Sequence, residues 1–305
     1  MLHVRTEFRA HELDHKLAPK VGSVSVDRLV DGEEVEVLEF LAQRPIHTVA
    51  LMSLIHDNGL ESPLNRGTFY GCRDVNGQLE GVALVGHATL METVSDRALA
   101  ALAQVAQQCA STHMIMGEKE RVADFWSHYA AAGRRQRLTA REWLFELSWP
   151  IEAREPVVGL RPATPAELDL VMPVQAELAF AESGVDPLHT DPEGFRKRCL
   201  RRIEQGRTWV VIEDGKLIFK ADVISRTPQV NYLEGIWICE DRRGNNSGVR
   251  FMSALMRLLL EDTKSVCLLV NETNKPALNF YRKCGFHFRA TYETIFLPGM
   301  EQAQN

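Results

Sequence analysis

Residues 231–286 restrict the fold of this chain more than any other segment. They read as strand, glycine-containing loop, helix, strand, helix: NYLEGIWIC over 231–239, EDRRGNNSG over 240–248, and a leucine-rich helix expected over 249–262. An apolar strand, SVCLLV, follows over 265–270, and then NETNKPALNFYRKCGF over 271–286. A loop that opens directly into a helix aims successive backbone N–H groups and the positive end of the helix dipole at one point, which suits phosphate. A phosphorylated ligand is therefore expected at Asn245, Asn246, Ser247 and Gly248, with Gly244 shaping the turn and Arg243 adding charge-assisted bonds.

At 305 residues the chain suits two units of about 150 residues each. Its 45% hydrophobic content supports real cores and excludes disordered and fibrous classes. A net charge of -6 gives no general attraction to nucleic acid or an anionic membrane, and no apolar run approaches a membrane span, so neither partner is expected. The six cysteines form no CxxC pair and mostly fall in predicted strands or helices, the pattern of buried, reduced thiols in a cytoplasmic protein without a metal site.

Taken in order, residues 1–22 carry no usable period and are expected to be a mobile arm. A domain over 23–150 is expected to run strand, two helices, hairpin, helix, strand, helix, strand, with Asn76-Gly77 as the hairpin turn and Asp96 as a helix cap. From Val158 the same order resumes, so a second domain is expected over 157–298, the break falling in the Pro-flanked segment 150–156. In the first copy, Met91-Glu-Thr-Val-Ser-Asp96 offers neither glycine nor arginine before the helix, so no phosphate cradle is encoded there.

Arg243-Gly244-x-x-Ser247-Gly248 after one strand, and Asn271-x-x-Asn274-x-x-Ala277-x-x-x-Tyr281-x-x-x-Gly285-Phe286 after the next, resemble the acetyl-coenzyme A site of the GCN5-related N-acetyltransferase (GNAT) family. The likeness covers most of the C-terminal half. Asn246 stands where the family usually has glycine; Asn tolerates a left-handed backbone, so the loop can keep its shape. The resemblance implies an α/β fold of two tandem GNAT-like domains, each a mixed, mostly antiparallel sheet flanked by helices, the first degenerate and the second catalytic.

It further implies transfer of an acetyl group from acetyl-CoA to a primary amine by direct attack in a ternary complex, the acceptor being a small molecule or a peptide. In the family the cofactor's pantetheine arm inserts between two splayed strands, which would place Ile236, Trp237 and Ile238 on one side of it and Asn271 and Asn274 on the other. Asn274 also suits a helix cap ahead of Pro276. Tyr281 matches the tyrosine that protonates the departing thiolate, its alternative being a core residue with a wet tip. Glu234 is either a base raised in pKa by its apolar strand or an ion-pair partner of Arg226 or Lys220. Acceptor choice is expected in the acidic connection 182–191, at Glu182 and Asp186. A non-catalytic acyl-CoA-binding or regulatory protein is the rival reading, and a homodimer is left open.

Overall fold

A computed structural model describes residues 24–149, 156–244 and 246–298. The expected N-terminal arm, nearly all of the expected break and Asn245 lie outside the described residues.

The N-terminal half runs β1 (Ser25–Arg28), α1 (Glu34–Leu41), α2 (Pro45–Asn58), β2 (Gly67–Arg73), β3 (Leu79–Gly86), β4 (Ala88–Thr93), α3 (Asp96–Gln107), β5 (Met114–Glu118), α4 (Lys119–Tyr129) and β6 (Leu138–Ser148). The C-terminal half runs β7 (Arg161–Pro162), α5 (Leu168–Ser183), α6 (Pro187–Thr190), α7 (Pro192–Glu204), β8 (Thr208–Glu213), β9 (Lys216–Arg226), β10 (Val230–Ile238), α8 (Ser247–Leu259), β11 (Ser265–Asn271), α9 (Lys275–Lys283) and β12 (His287–Phe296). Apart from the short α6, one order of elements occurs twice.

Local chemistry explains most of these elements. Asp74 closes the β2–β3 turn by accepting from the backbone N–H groups of Asn76 and Gln78, both at 2.9 Å, with Gly77 at φ 82°. Helix α3 is capped by Ser95, whose Oγ accepts from Ala98 N at 3.2 Å; Asp96 lies in the first turn and is not the cap that the sequence suggested. Strand β4 was not anticipated, because LMET reads equally well as a connection.

The strands form one 12-stranded sheet in the order β1-β2-β3-β4-β5-β12-β6-β11-β10-β9-β8-β7. It is mostly antiparallel, with parallel pairs at β4–β5 and β10–β11, the corresponding places of the two halves. The last strands are exchanged. β12, from the end of the chain, lies against β5, and β6, from the N-terminal half, lies against β11 from Ser265↔Ser148 to Asn271↔Glu142. Neither half closes its own sheet, so the two are joined through backbone ladders.

Helices α3, α4, α8 and α9 cover one face, where Phe219, Leu233, Phe251, Leu255, Val266 and Phe286 are buried in the C-terminal half. The other face carries α1, α2, α5 and α7. Helix α2 crosses between the halves: Val49 packs with Tyr232, Leu144 and Tyr292, Ser53 Oγ accepts from Arg226 N at 3.0 Å, and Asp57 pairs with Arg207 at 2.6 Å.

Candidate functional site

The central feature is a parting of two parallel strands. β10 pairs with β11 only from Val230↔Ser265 to Leu233↔Leu268, after which β11 continues along β6 as β10 turns away. A bulge causes the turn. Against β9 the register jumps from Glu234↔Asp222 to Trp237↔Lys220, so Gly235 and Ile236 stand opposite Ala221 alone. Gly235 has φ 59°, and a Cβ there would lie 2.7 Å from Gln175 Oε1 and 2.9 Å from Lys220 Nζ. Beyond the bulge, the β11-facing edge of β10 has no ladder partner among the described residues, and an extended ligand can pair with it as a strand would.

At the far end of this edge lies the expected phosphate loop. Gly244 (φ 82°) and Asn246 (φ 63°) both adopt left-handed backbone, so asparagine occupies the conformation that glycine usually supplies. Asn246 is the N-cap of α8, and its own side chain makes no cap bond; the positive end of the α8 dipole faces the loop. Gly248 is buried; a Cβ on it would meet Ile238 Cδ1 at 2.5 Å and Phe280 Cε2 at 3.0 Å, so only glycine lets α8 approach β10 and α9 this closely. Arg243 is exposed, with Nε donating to Ile238 O at 2.9 Å.

Across the parting, Asn271 and Asn274 are both exposed and organise the start of α9. Asn271 Oδ1 accepts from Thr273 N at 2.9 Å, and Asn274 Oδ1 accepts from Ala277 N at 3.1 Å, the cap that the sequence suggested. Ile236 and Ile238 pack toward Phe280 and Tyr281, whereas Trp237 points to the opposite core beside α5 and α7. Tyr281 lies edge-on to Phe280 and Phe286, with ring centroids at 5.2 and 5.9 Å. Burial, with smaller contributions from Cys284 and Glu182, raises its pKa and keeps the hydroxyl protonated near neutrality.

Three carboxylates from three elements influence one another beside the bulge. Glu234 is raised in pKa by burial, partly offset by a hydrogen bond from Tyr232. It pairs with neither candidate cation: Lys220 is committed to Asp222 at 2.7 Å, and Arg226 to Asp262 at 3.0 Å. Glu182, on α5, is pushed up to about 7 by desolvation of its carboxyl and by the like charges of Glu234 and Glu142. Glu142, on the exchanged strand β6, is raised by burial and then by Glu234, and its Oε2 accepts from Thr294 Oγ1 at 3.2 Å. Asp186 is not part of this group; its carboxylate caps α6 through Leu188 N at 2.9 Å.

Glu142 escaped the sequence reading as a site residue, because nothing in the order of residues places β6 beside β11. Among the described residues no cluster of His, Cys, Asp or Glu is arranged to hold a metal ion, and no helix is long and apolar enough to cross a membrane.

A mixed sheet parted at a bulge, with the N-terminus of a helix at one end of the gap, defines an acyltransferase architecture. Residues 175–286 match the Acetyltransferase (GNAT) family, and this segment is a GNAT acetyltransferase domain. No curated protein sequence matches the chain significantly. Among solved structures, an acetyltransferase of the GNAT family from Colwellia psychrerythraea is 12% identical, with TM-score 0.56 over 90% of this chain and 100% of its own. A Drosophila protein reaches TM-score 0.64 at 13% identity, over 90% of this chain and 98% of its own. A tandem GNAT protein from the clavulanic acid biosynthesis pathway reaches 0.53 at 14% identity, over 89% and 98%. At such identities the likeness is one of fold.

Proposed function

We propose that the protein is an N-acetyltransferase moving an acetyl group from acetyl-CoA to a primary amine in a ternary complex, with the acceptor carrying positive charge. The single observation behind this reading is the parting at Gly235, which has the N-terminus of α8 at one end and a group of carboxylates beside it. Acetyl-CoA would supply the acetyl group as a thioester, an amide C–N bond forming as the C–S bond breaks.

The chain's own residues take the remaining roles. The N–H groups at the start of α8 hold the pyrophosphate, and Ile236 to Ile238 pair with the pantetheine amides. Glu234, raised in pKa by burial and ion-paired with neither Lys220 nor Arg226, removes the amine proton. Tyr281 returns a proton to the thiolate. Glu182 and Glu142 draw a cationic amine toward Glu234 and exclude anionic acceptors. We read the chain as tandem GNAT-like units meeting in 150–156, the first of which has lost its cofactor loop.

Calorimetric titration with acetyl-CoA, followed by a thiol-release screen over diamines, aminoglycosides, basic peptides and neutral amines, tests this reading. Micromolar binding with CoA release by cationic amines is expected. Binding without release by any amine would favour a regulatory acyl-CoA-binding protein, and no binding would remove the cofactor site.

A further inference from the structure

The most deeply buried charge in the C-terminal half has no part in the chemistry above. Lys220 is 0% exposed, and its ammonium makes three hydrogen bonds: to Asp222 Oδ2 at 2.7 Å, to Gln175 Oε1 at 2.6 Å and to Gly235 O at 3.1 Å. All three of its donors are used. Asp222, 1% exposed, is satisfied in turn by Thr208 Oγ1 at 2.8 Å and by Arg202 at 3.0 Å, so the pair is complete and closed to solvent.

Stability alone is a weak reason to keep such a pair, because desolvating two ions offsets most of their attraction and apolar replacements of similar volume are often neutral or better. The location is more informative. The Gly235 carbonyl belongs to the bulge residue at φ 59°, and Gln175 belongs to α5, the helix that carries Glu182. One ammonium thus spans β9, the bulge of β10 and the helix on the acceptor side.

We propose that Lys220 is a positioning residue: by holding the Gly235 carbonyl and Gln175 together it fixes the bulge that parts β10 from β11, and sets the acceptor helix in register with the cofactor strand. Without the ammonium, the Gly235 carbonyl loses its buried donor and β10 is free to relax toward a regular ladder, closing the edge that pantetheine needs. This inference rests on the acetyl-CoA reading of the parting.

The test compares wild type with the paired variant Lys220→Met/Asp222→Asn, which removes both charges together and so avoids an isolated buried ion, and with Lys220→Met alone. Calorimetry with acetyl-CoA, thermal melts and steady-state kinetics are run on each. The paired variant is expected to melt within a few degrees of wild type, to bind acetyl-CoA at least tenfold more weakly, and to show the loss as a raised KM for acetyl-CoA. A paired variant that melts like wild type and keeps wild-type affinity and KM overturns the proposal. So does a paired variant whose lost activity follows only its folded fraction, the surviving molecules binding normally. Wild-type binding without transfer to any amine would overturn the transferase reading, while the affinity comparison still decides the role of Lys220.

Discussion

The two halves part their sheets at the same place and fill the gaps differently. In the C-terminal half β10 leaves β11 after Leu233↔Leu268, and beyond that point its edge has no ladder partner among the described residues. In the N-terminal half β4 pairs with β5 only from Ala88↔Met114 to Leu90↔Met116, and the gap is occupied by the chain itself. Arg44, just ahead of α2, reaches in and bridges Glu92 at 3.0 Å and Glu118 at 2.5 Å, while His47 Nδ1 lies 3.0 Å from the Tyr292 hydroxyl. The remaining cavity, about 40 Å³, has room for a few waters and not for a pantetheine chain. The adjoining helix is closed as well, since Ser95 caps α3 and Asp96 places a negative charge in its first turn. A cap, an acidic residue and one guanidinium separate a receptive cleft from a self-satisfied one on the same framework.

That contrast can be broken at several points. The largest effect is expected from Gly248→Glu, which adds a Cβ within 2.5 Å of Ile238 Cδ1 and a carboxylate at the N-terminal end of α8. It should abolish acetyl-CoA binding by calorimetry, and retained micromolar affinity would place the cofactor elsewhere. Next comes Glu234→Gln, expected to lower kcat about a hundredfold, the low end of general-base effects. In the wild type the rate should rise with pH through about 7, because Glu182 titrates there and Glu234 is also raised, and both carboxyls act only after losing their protons. A pH profile that falls across that range would contradict the assignment.

Smaller effects distinguish the remaining roles. Tyr281→Phe should reduce kcat roughly tenfold and leave acetyl-CoA affinity unchanged. Glu142→Gln, a change in the N-terminal half, should raise the KM for a cationic acceptor by about fivefold, equivalent to roughly 1 kcal/mol for a partly screened charge. A neutral amine should show no such change. The smallest functional effect is expected from Arg44→Ala. It removes the partner of the nearly buried Glu92 and should cost about 1–2 kcal/mol of stability, after allowance for the exposure of Arg44 itself. Calorimetry should still give one acetyl-CoA per chain; two would mean that the guanidinium alone keeps the first cleft shut.

Much of the C-terminal site was legible because its signals are local. The strand–loop–helix of 231–259, the left-handed Asn246 and the Asn274 cap each depend on residues a few positions apart. The roles that depend on contacts between distant segments were not legible. Glu142 reads as a residue of an N-terminal strand, and only the ladder Asn271↔Glu142 carries it to Glu234 and Glu182. Glu234 could be read as a salt-bridge partner of Lys220 until the structure committed that lysine to Asp222 and Gly235. Asp186 and Glu182 were equivalent as acidic loop residues. The fold uses one as a cap and brings the other under the influence of Glu142 and Glu234.

The sequence by itself indicated most of the order of elements, the turn at Asp74, the cap at Asn274 and a loop opening into α8, since these follow from backbone preferences and side chains within reach along the chain. Only the tertiary structure decided that β6 and β12 change places, that Arg44 closes one cleft, and that a buried lysine supports the bulge of the other. Strand partners and buried ion pairs are chosen by which distant surfaces meet and exclude water, a competition among alternatives that no local pattern encodes.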